Sequence, residues 1–272
     1  IIRITDIFDN FKLKNRSKIK PVGFVVGMKN IYLSTSNGKL IIIDIASGKT
    51  ISTLKIDNEK IEIISDIKLA LSPSKPGYFD SEGLLNCCFV KHSEKIYIYY
   101  SGWQNIQIGL WHCDTGRAIA DPENLTAKKE FDGPVLGRDK SNPIFAAATS
   151  VHVDKNNNWK TWYNSGISWE NKGNHWHCIY GVHYATSDDG IDWNCKPGLI
   201  IPIKDKYEHS FGRPCVVFWD NKYQMWFAHR GTKDYSTYRI GYAFSKDGIS
   251  WIRKDEDSGI TISDEGWDSD SI

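Results

Sequence analysis

The chain lacks most of the features that mark nucleic-acid-binding, membrane-spanning and metal-binding proteins. Its 34 Lys and Arg against 33 Asp and Glu give a formal net charge of +1, which offers no electrostatic basis for binding nucleic acid or an anionic membrane. No apolar run approaches the ~20 residues that cross a bilayer. The six cysteines form no CxxC pair and no Cys/His zinc spacing. We therefore expect no nucleic-acid partner, no membrane span, no metal and no cofactor.

The cysteines and the first residues of the chain bear on the cellular compartment in which the protein is found. The cysteines are expected to be buried or free thiols rather than disulfides, which slightly favours a reducing, cytoplasmic location. The chain begins at Ile1 rather than Met and shows no signal peptide, which leaves open that a targeting segment preceded it. Nothing in the sequence fixes the oligomeric state.

Aromatic residues, in contrast, are abundant. The chain has 11 Trp, 13 Tyr and 11 Phe, together 13% of its residues. Such side chains favour β-strands and provide flat apolar surfaces that can stack on sugar rings. No stretch has a sustained helical period, which argues against an α/β fold. The composition therefore predicts an all-β protein.

A ten-residue phrase occurs twice in the chain, 58 residues apart. It reads "YATSDDGIDW" at 184–193 and "YAFSKDGISW" at 242–251. It belongs to a longer unit of strand, hairpin, strand, long loop, strand, Asp-Gly turn and strand, and such units begin near Leu85, Ala147 and Gly212. Four antiparallel strands repeating at about 60 residues are typical of a β-propeller blade, with a solenoid of β-hairpins as the alternative.

The repeated phrase predicts a turn rather than a catalytic site. We expect its Ser and Asp to brace the turn, its Gly to supply a positive φ and its Trp, at the end of the fourth strand, to wedge between blades. Asp189 and Asp247 are therefore poor catalytic candidates. The preceding third strand contains a glycine in every unit and is predicted within 106–112, 179–187 and 238–245.

The N-terminal segment differs from these units. Residues 1–60 are predicted to form a β-meander, with three strands in 30–56 joined by "SNGK" and "ASGK" turns. Residues 61–272 are predicted to form the propeller. The chain stops where a further blade would start, so the propeller is either closed by the N-terminal strands or incomplete at its C-terminus. Closure matters because an open propeller leaves a sheet edge unpaired.

Several segments together resemble the five-bladed β-propeller glycosidase superfamily, which includes arabinanases, invertases and levansucrases. They are "LSPSKPGYFDSEGLLNCCFV", "IYIYYSGW", "GVHYATSDDGIDW", "GRPCVVFWDNKYQMWFAHRG", "YRIGYAFSKDGISW" and "SDEGWDSDSI". The closest likeness is to uncharacterised glycosidase-like propellers of polysaccharide gene clusters. The resemblance covers residues 66–272, leaves residues 1–60 outside, and implies five four-stranded antiparallel blades.

The resemblance also implies three acidic residues around a central funnel, since glycosidic cleavage uses carboxyl groups on both sides of the scissile bond. On this basis Asp80 would be the base or nucleophile, Glu208 the general acid and Asp268 the third carboxylate. Arg213 would bind a sugar hydroxyl or carboxylate. Further candidates for substrate binding are Trp103, His209, His229 and Arg230. The family's inner-strand Asp-Pro signatures are absent, and its Glu-Gly-Pro is "GRP" here.

Three functions remain open at this point. The first is hydrolysis or transfer of glycosidic bonds with paired carboxylates at the funnel. The second is a non-catalytic carbohydrate-binding or scaffold domain in polysaccharide biosynthesis, and the third a protein-interaction propeller. Two carboxyl groups about 5–10 Å apart across a solvated pocket favour catalysis, whereas acids held in salt bridges favour binding alone.

Overall fold

The computed structural model describes residues 21–26, 30–35, 39–44, 50–55, 70–107, 110–121, 126–173, 175–204, 206–266 and 268–272; side chains before residue 70 and at positions 86, 87, 172 and 175 are not described. The chain divides into two compact units, Ile1–Ile67 and Lys68–Ile272. Apart from one short 3-10 helix, Asp255–Asp257, the regular elements of the described residues are β-strands. None of these residues forms a helix of the length and apolarity needed to span a membrane.

The first unit contains four strands that form a sheet of their own. They are β1 (Pro21–Val26), β2 (Asn30–Thr35), β3 (Lys39–Asp44) and β4 (Thr50–Lys55), each antiparallel to the next. The three strands predicted within 30–56 are confirmed as β2 to β4, whereas their connecting turns lie outside the described residues. Closure of the propeller by these strands stays a prediction.

The second unit contains three consecutive four-stranded antiparallel blades. Blade 1 comprises β5 (Gly83–His92), β6 (Lys95–Asn105), β7 (Trp111–Asp121) and β8 (Thr126–Lys129). Blade 2 comprises β9 (Ala146–Val153), β10 (Trp159–Lys172), β11 (His175–Ser187) and β12 (Asn194–Lys196). Blade 3 comprises β13 (His209–Trp219), β14 (Lys222–Arg230), β15 (Arg239–Ser245) and β16 (Ile252–Arg253). The predicted repeat of four strands is confirmed.

Two strand positions differ from the sequence prediction. The third strand of blade 1 starts at Trp111 rather than at residue 106, because β6 extends to Asn105, which pairs directly with Trp111. Beyond this pair, the Ile106 N–H donates to the Leu110 carbonyl oxygen (2.8 Å), and neither residue belongs to a strand. The fourth strands of blades 2 and 3 begin just after Trp193 and Trp251. These tryptophans therefore complete the turn instead of ending a strand.

The repeated Asp-Gly phrase forms the expected turn. The Ser245 hydroxyl donates to Asp247 Oδ1 (2.8 Å), which also accepts the backbone N–H groups of Ile249 (2.8 Å) and Ser250 (2.7 Å). Gly248 has φ +79°, a conformation that favours glycine. Ser187, Asp189 and Gly190 repeat this arrangement in blade 2. Both aspartates are therefore occupied in turns, as predicted.

Each turn also receives an aromatic side chain of the preceding blade. The Tyr99 hydroxyl donates to the Gly190 carbonyl oxygen (2.8 Å), and Trp162 Nε1 donates to that of Gly248 (2.7 Å). A Cβ atom at Gly190 would lie 2.4 Å from the Tyr99 hydroxyl, so only glycine allows this approach. Trp193 packs edge-on against Tyr99, with ring centroids 6.1 Å apart. The repeated residues thus join neighbouring blades, as the sequence predicts.

The five cysteines whose side chains the structure describes are thiols rather than disulfides. Cys113 and Cys178 are buried, Cys88 and Cys195 are half-buried, and Cys215 is exposed. The prediction of thiols rather than disulfides is confirmed for these five. The side chain of the sixth, Cys87, lies outside the described residues.

Candidate functional site

A cavity of about 650 Å³ is lined by residues from the first strands of all three blades. These strands contribute Leu85 from β5, Ala147 from β9 and Arg213 from β13. Small-ligand pockets typically measure ~300–1,000 Å³ and combine apolar walls with a few placed polar groups. The cavity is therefore large enough for a small ligand, and its walls determine which one.

Aromatic side chains form much of the cavity wall. Trp103 and Trp111 stack with ring centroids 4.6 Å apart, and Trp111 also packs against Phe145 at 5.1 Å. Trp103 Nε1 donates to Asn105 Oδ1 (3.1 Å), and the Asn105 backbone N–H donates to Glu82 Oε2 (2.8 Å). These contacts fix the orientation of the Trp103 indole, so the wall presents a preorganised apolar surface.

Two tyrosines supply polar atoms to the same cavity. The hydroxyl oxygens of Tyr180 and Tyr238 lie 2.6 Å apart and share a hydrogen bond. Burial raises the pKa of Tyr180, so this hydroxyl keeps its proton at neutral pH. The Arg230 guanidinium lies 4.7 Å from the centroid of the Tyr238 ring. Arg230, a predicted substrate-binding residue, thus contacts a cavity residue but is not itself among the described lining residues.

Arg213 is the charged residue of the cavity wall. It lies at a bulge in β13, where the pairing register with β14 shifts between Gly212 and Cys215. Its φ is +46°, an uncommon conformation for a residue with a side chain. Its backbone N–H donates to Asn164 Oδ1 (3.0 Å), and its side chain is exposed. No carboxylate in the described part of the chain pairs with it.

Glu208 lies in a buried ionic cluster just before β13. It is 4% exposed, and its Oε1 lies 2.9 Å from His229 Nδ1. Arg253 of β16 donates to both carboxylate oxygens, with distances of 2.8 Å and 2.5 Å. Burial alone would raise the pKa of Glu208, but hydrogen bonds from His229, Arg253 and the Lys204 N–H outweigh it and lower the pKa to about 2. Glu208 is therefore a carboxylate at neutral pH.

The same cluster contains the best geometric candidate for a metal site among the described residues. Glu208, His229 and Asp255 place one potential ligand atom each within 4.8 Å of the others. However, an Arg253 nitrogen lies 2.5 Å from Glu208 Oε1 and 2.8 Å from Asp255 Oδ2. The guanidinium already supplies the positive charge between these acids, so the residues do not fit a cation.

Asp80 also lies in a buried ion pair. Its side chain is fully buried in the turn before β5, and its Oδ2 lies 2.5 Å from Lys129 Nζ and accepts the Tyr100 hydroxyl at 3.4 Å. Lys129 Nζ donates as well to Ser74 Oγ (2.8 Å). The other oxygen, Oδ1, has no hydrogen-bond partner in the described part of the chain. A Cβ at Gly102 would lie 2.4 Å from Asp80 Cβ, so that glycine permits the close packing.

The remaining predicted residues are dispersed. Asp268 is half-buried in the C-terminal loop, where its Oδ2 accepts the Ser263 hydroxyl (2.9 Å). His209 Nδ1 lies 2.6 Å from Ser210 Oγ. Thus the structure places Trp103 and Arg213 on the cavity and joins Glu208 to His229. None of the three predicted acids is among the described residues that line the cavity, and their catalytic roles stay predictions.

The sequence reasoning missed most of the cavity wall. Trp111, Tyr180 and Tyr238 come from β7, β11 and the loop before β15, and no local motif marks them. Trp111 begins β7 and Tyr238 directly precedes β15, whereas Tyr180 lies within β11, so the three share no fixed position in their strands. Asp114 was missed as well: its side chain is 6% exposed, 3.5 Å from Arg138 Nε. Burial raises its pKa, which Arg138 offsets only in part.

The chain is similar in sequence to two proteins of Mycobacterium tuberculosis. Uncharacterized protein MT1551 of strain CDC 1551 / Oshkosh is 30% identical over 248 residues, which cover 89% of this chain and 77% of that protein. Uncharacterized protein Rv1502 of strain ATCC 25618 / H37Rv has the same identity and coverage. No family model matches the chain.

In structure the chain resembles glycoside hydrolases. A structure described as "Glycoside hydrolase" aligns with a TM-score of 0.60 at 14% identity, covering 93% of this chain and 78% of that one. A complex of BT0996 with RGII gives 0.59 with the same identity and coverage. A thermostable family-43 glycoside hydrolase gives 0.51 at 16% identity, covering 90% and 73%. The predicted all-β, glycosidase-like propeller fold is thereby confirmed, whereas closure of its ring stays a prediction.

Proposed function

We propose that this chain, which belongs to the same family as the two Mycobacterium tuberculosis proteins, binds carbohydrate in the cavity without cleaving it. One observation carries this proposal. The cavity combines an aromatic wall with tyrosine hydroxyls and an arginine, and its described lining contains no Asp or Glu. Aromatic faces stack on the apolar faces of sugar rings, while polar side chains bind the hydroxyl groups.

The state of the predicted acids supports binding over cleavage. A general acid must hold a proton near neutral pH, which requires a raised pKa. Glu208 has a pKa lowered to about 2 by His229 and Arg253 and therefore holds none. Asp80 is fully buried against Lys129, where it does not reach the cavity lining. Acids held in this way stabilise the fold.

Cleavage of a glycosidic bond is the second candidate function. It is favoured by the fold shared with glycoside hydrolases and by Asp80 Oδ1, a buried carboxylate oxygen without a described partner. Fold alone does not establish an activity. This candidate requires that Asp80 and a second acid reach the bound sugar.

Titration with a panel of plant and bacterial oligosaccharides tests the proposal. We expect calorimetry to detect binding and chromatography to find no products. Trp103→Ala should weaken binding at least about fivefold, since it removes one stacking surface. Trp219→Ala is the matched control, because Trp219 is 57% exposed at the end of β13 and lies outside the cavity lining. Thermal melting checks that both variants fold.

Two results would contradict the proposal. Products that form with the wild type would establish cleavage instead, and their loss in Asp80→Asn and Glu208→Gln, in variants that melting shows to be folded, would assign it to these acids. Failure of every sugar in the panel to bind would exclude a carbohydrate function. Equal losses in the two tryptophan variants would show that the cavity is not the binding site.

A further inference from the structure

Arg213 is held at the cavity wall by a backbone conformation that glycine would adopt more easily. Its φ of +46° falls in the left-handed region, which is unfavourable for a residue with a side chain. The bulge in β13 and the hydrogen bond from its N–H to Asn164 maintain this conformation. Strained residues and bulges are concentrated at binding sites, where a bulge redirects a side chain.

The charge around Arg213 is unbalanced. The described cavity lining contains this guanidinium and no Asp or Glu side chain, and in the described part of the chain no acidic side chain pairs with it. A second positive charge, that of Arg230, lies 4.7 Å from the centroid of the Tyr238 ring, which also lines the cavity. Arg253 of the same blade differs from Arg213, because Glu208 and Asp255 neutralise it.

We propose that the carbohydrate bound in this cavity is anionic, with a carboxylate or phosphate group that pairs with Arg213. The inference rests on the proposed function and adds its ligand class. A guanidinium donates two parallel hydrogen bonds to either anion. The sugar ring then lies against the wall that contains Trp103 and Trp111.

The test compares each acidic sugar with a neutral counterpart of the same ring and linkage. The probes are oligouronides of glucuronic, galacturonic and mannuronic acid, their methyl esters, and hexose 1-phosphates beside the free hexoses. Calorimetry is carried out on the wild type, Arg213→Lys and Arg213→Gly. Glycine suits φ +46°, so Arg213→Gly is expected to fold and to melt at or above the wild-type temperature. Lys246→Gln, which removes an exposed positive charge in the blade 3 turn, is the control.

We expect at least one acidic probe to bind roughly ten- to hundredfold more tightly than its neutral counterpart, as for a charged hydrogen bond. Arg213→Gly should abolish this preference, Arg213→Lys should retain part of it, and Lys246→Gln should leave it unchanged. A preference for uronides identifies a carboxylate ligand, and one for hexose phosphates a phosphate ligand.

The inference and the proposed function fail in different ways. Equal affinities for acidic and neutral probes would overturn the inference and leave carbohydrate binding in place. A preference that persists in Arg213→Gly would also overturn it. Binding of no probe at all would overturn both.

Discussion

Replacing Glu208 by glutamine removes the negative charge that pairs with Arg253 and His229 in the buried ionic cluster of blade 3. The side chain keeps its shape, but Arg253 loses the carboxylate that accepts two of its hydrogen bonds. The pKa of Glu208 falls from 4.5 to about 2 in the folded protein. Each pKa unit corresponds to ~1.4 kcal/mol, so the carboxylate stabilises the folded state by about 3 kcal/mol at pH 7.

The sign of the pH dependence follows from the lowered pKa. A carboxylate with a depressed folded-state pKa contributes stability above its unfolded pKa, and this contribution is lost as the pH falls towards the folded value. Between pH 7 and pH 3 the wild type should lose about 2 of the 3 kcal/mol from Glu208. The Glu208→Gln variant has no such loss, so the difference between the two should shrink to about 1 kcal/mol at pH 3.

Urea unfolding followed by tryptophan fluorescence at pH 7 and pH 3 measures both quantities. Glu256→Gln is the matched control, because the Glu256 side chain is 64% exposed and pairs with Lys254 at the surface; a far smaller change is expected. An equal free energy of unfolding for Glu208→Gln and the wild type at pH 7 would show that the Glu208 carboxylate does not stabilise the folded state. A difference that does not depend on pH would refute the assignment of the effect to ionisation.

Two further predictions concern other carboxylates of the second unit. Asp247→Ala should lower the free energy of unfolding by about 1–2 kcal/mol, because three hydrogen bonds to Oδ1 are lost. The control Asp188→Ala, at an exposed turn position, should leave the free energy of unfolding unchanged. Equal effects of the two substitutions would contradict the assignment of Asp247 to the turn. Asp114→Asn should raise the melting temperature at pH 7 and leave it unchanged at pH 3. Burial raises the pKa of Asp114, so at pH 7 ionisation of this carboxyl group destabilises the folded state, whereas at pH 3 the group is protonated in both the folded and the unfolded state. A lower melting temperature of the variant at pH 7 would contradict this.

The blade repeat could be predicted from the sequence because its determinants are local. The Ser, Asp and Gly of the repeated phrase form hydrogen bonds within a few residues of each other, so a single sequence motif specifies the turn. The aromatic at the middle of each second strand was found by its spacing. Tyr99 and Trp162 indeed donate to equivalent glycine carbonyls of the next blade.

The start of β7 was misplaced for a similar local reason. Residues 106–112 alternate apolar and polar side chains, which is typical of a strand. In the structure β6 and β7 continue their pairing only as far as Asn105 and Trp111, and the N–H of Ile106 donates to the Leu110 carbonyl oxygen (2.8 Å) across the loop. Where a strand begins or ends depends on its hydrogen bonds with the partner strand, and the alternation of side chains in one strand does not show where that pairing stops.

The candidate site depends on contacts between distant residues, which motifs do not specify. Glu208 meets Arg253 across 45 residues, although β13 and β16 are the two edge strands of the blade 3 sheet. Its role as a proton donor was inferred from resemblance, whereas its pKa depends on Arg253 and His229, which only the folded chain brings to it. Arg213 and Trp103 were found because each stands beside a recognisable strand motif.

A crystal structure of the protein with a bound oligosaccharide would show directly whether the cavity binds carbohydrate without cleaving it. We predict an intact glycosidic bond, a sugar ring against Trp103 or Trp111, and no Asp or Glu within hydrogen-bonding distance of the glycosidic oxygen. A cleaved sugar flanked by two carboxyl groups, or a sugar bound away from these tryptophans, would contradict it.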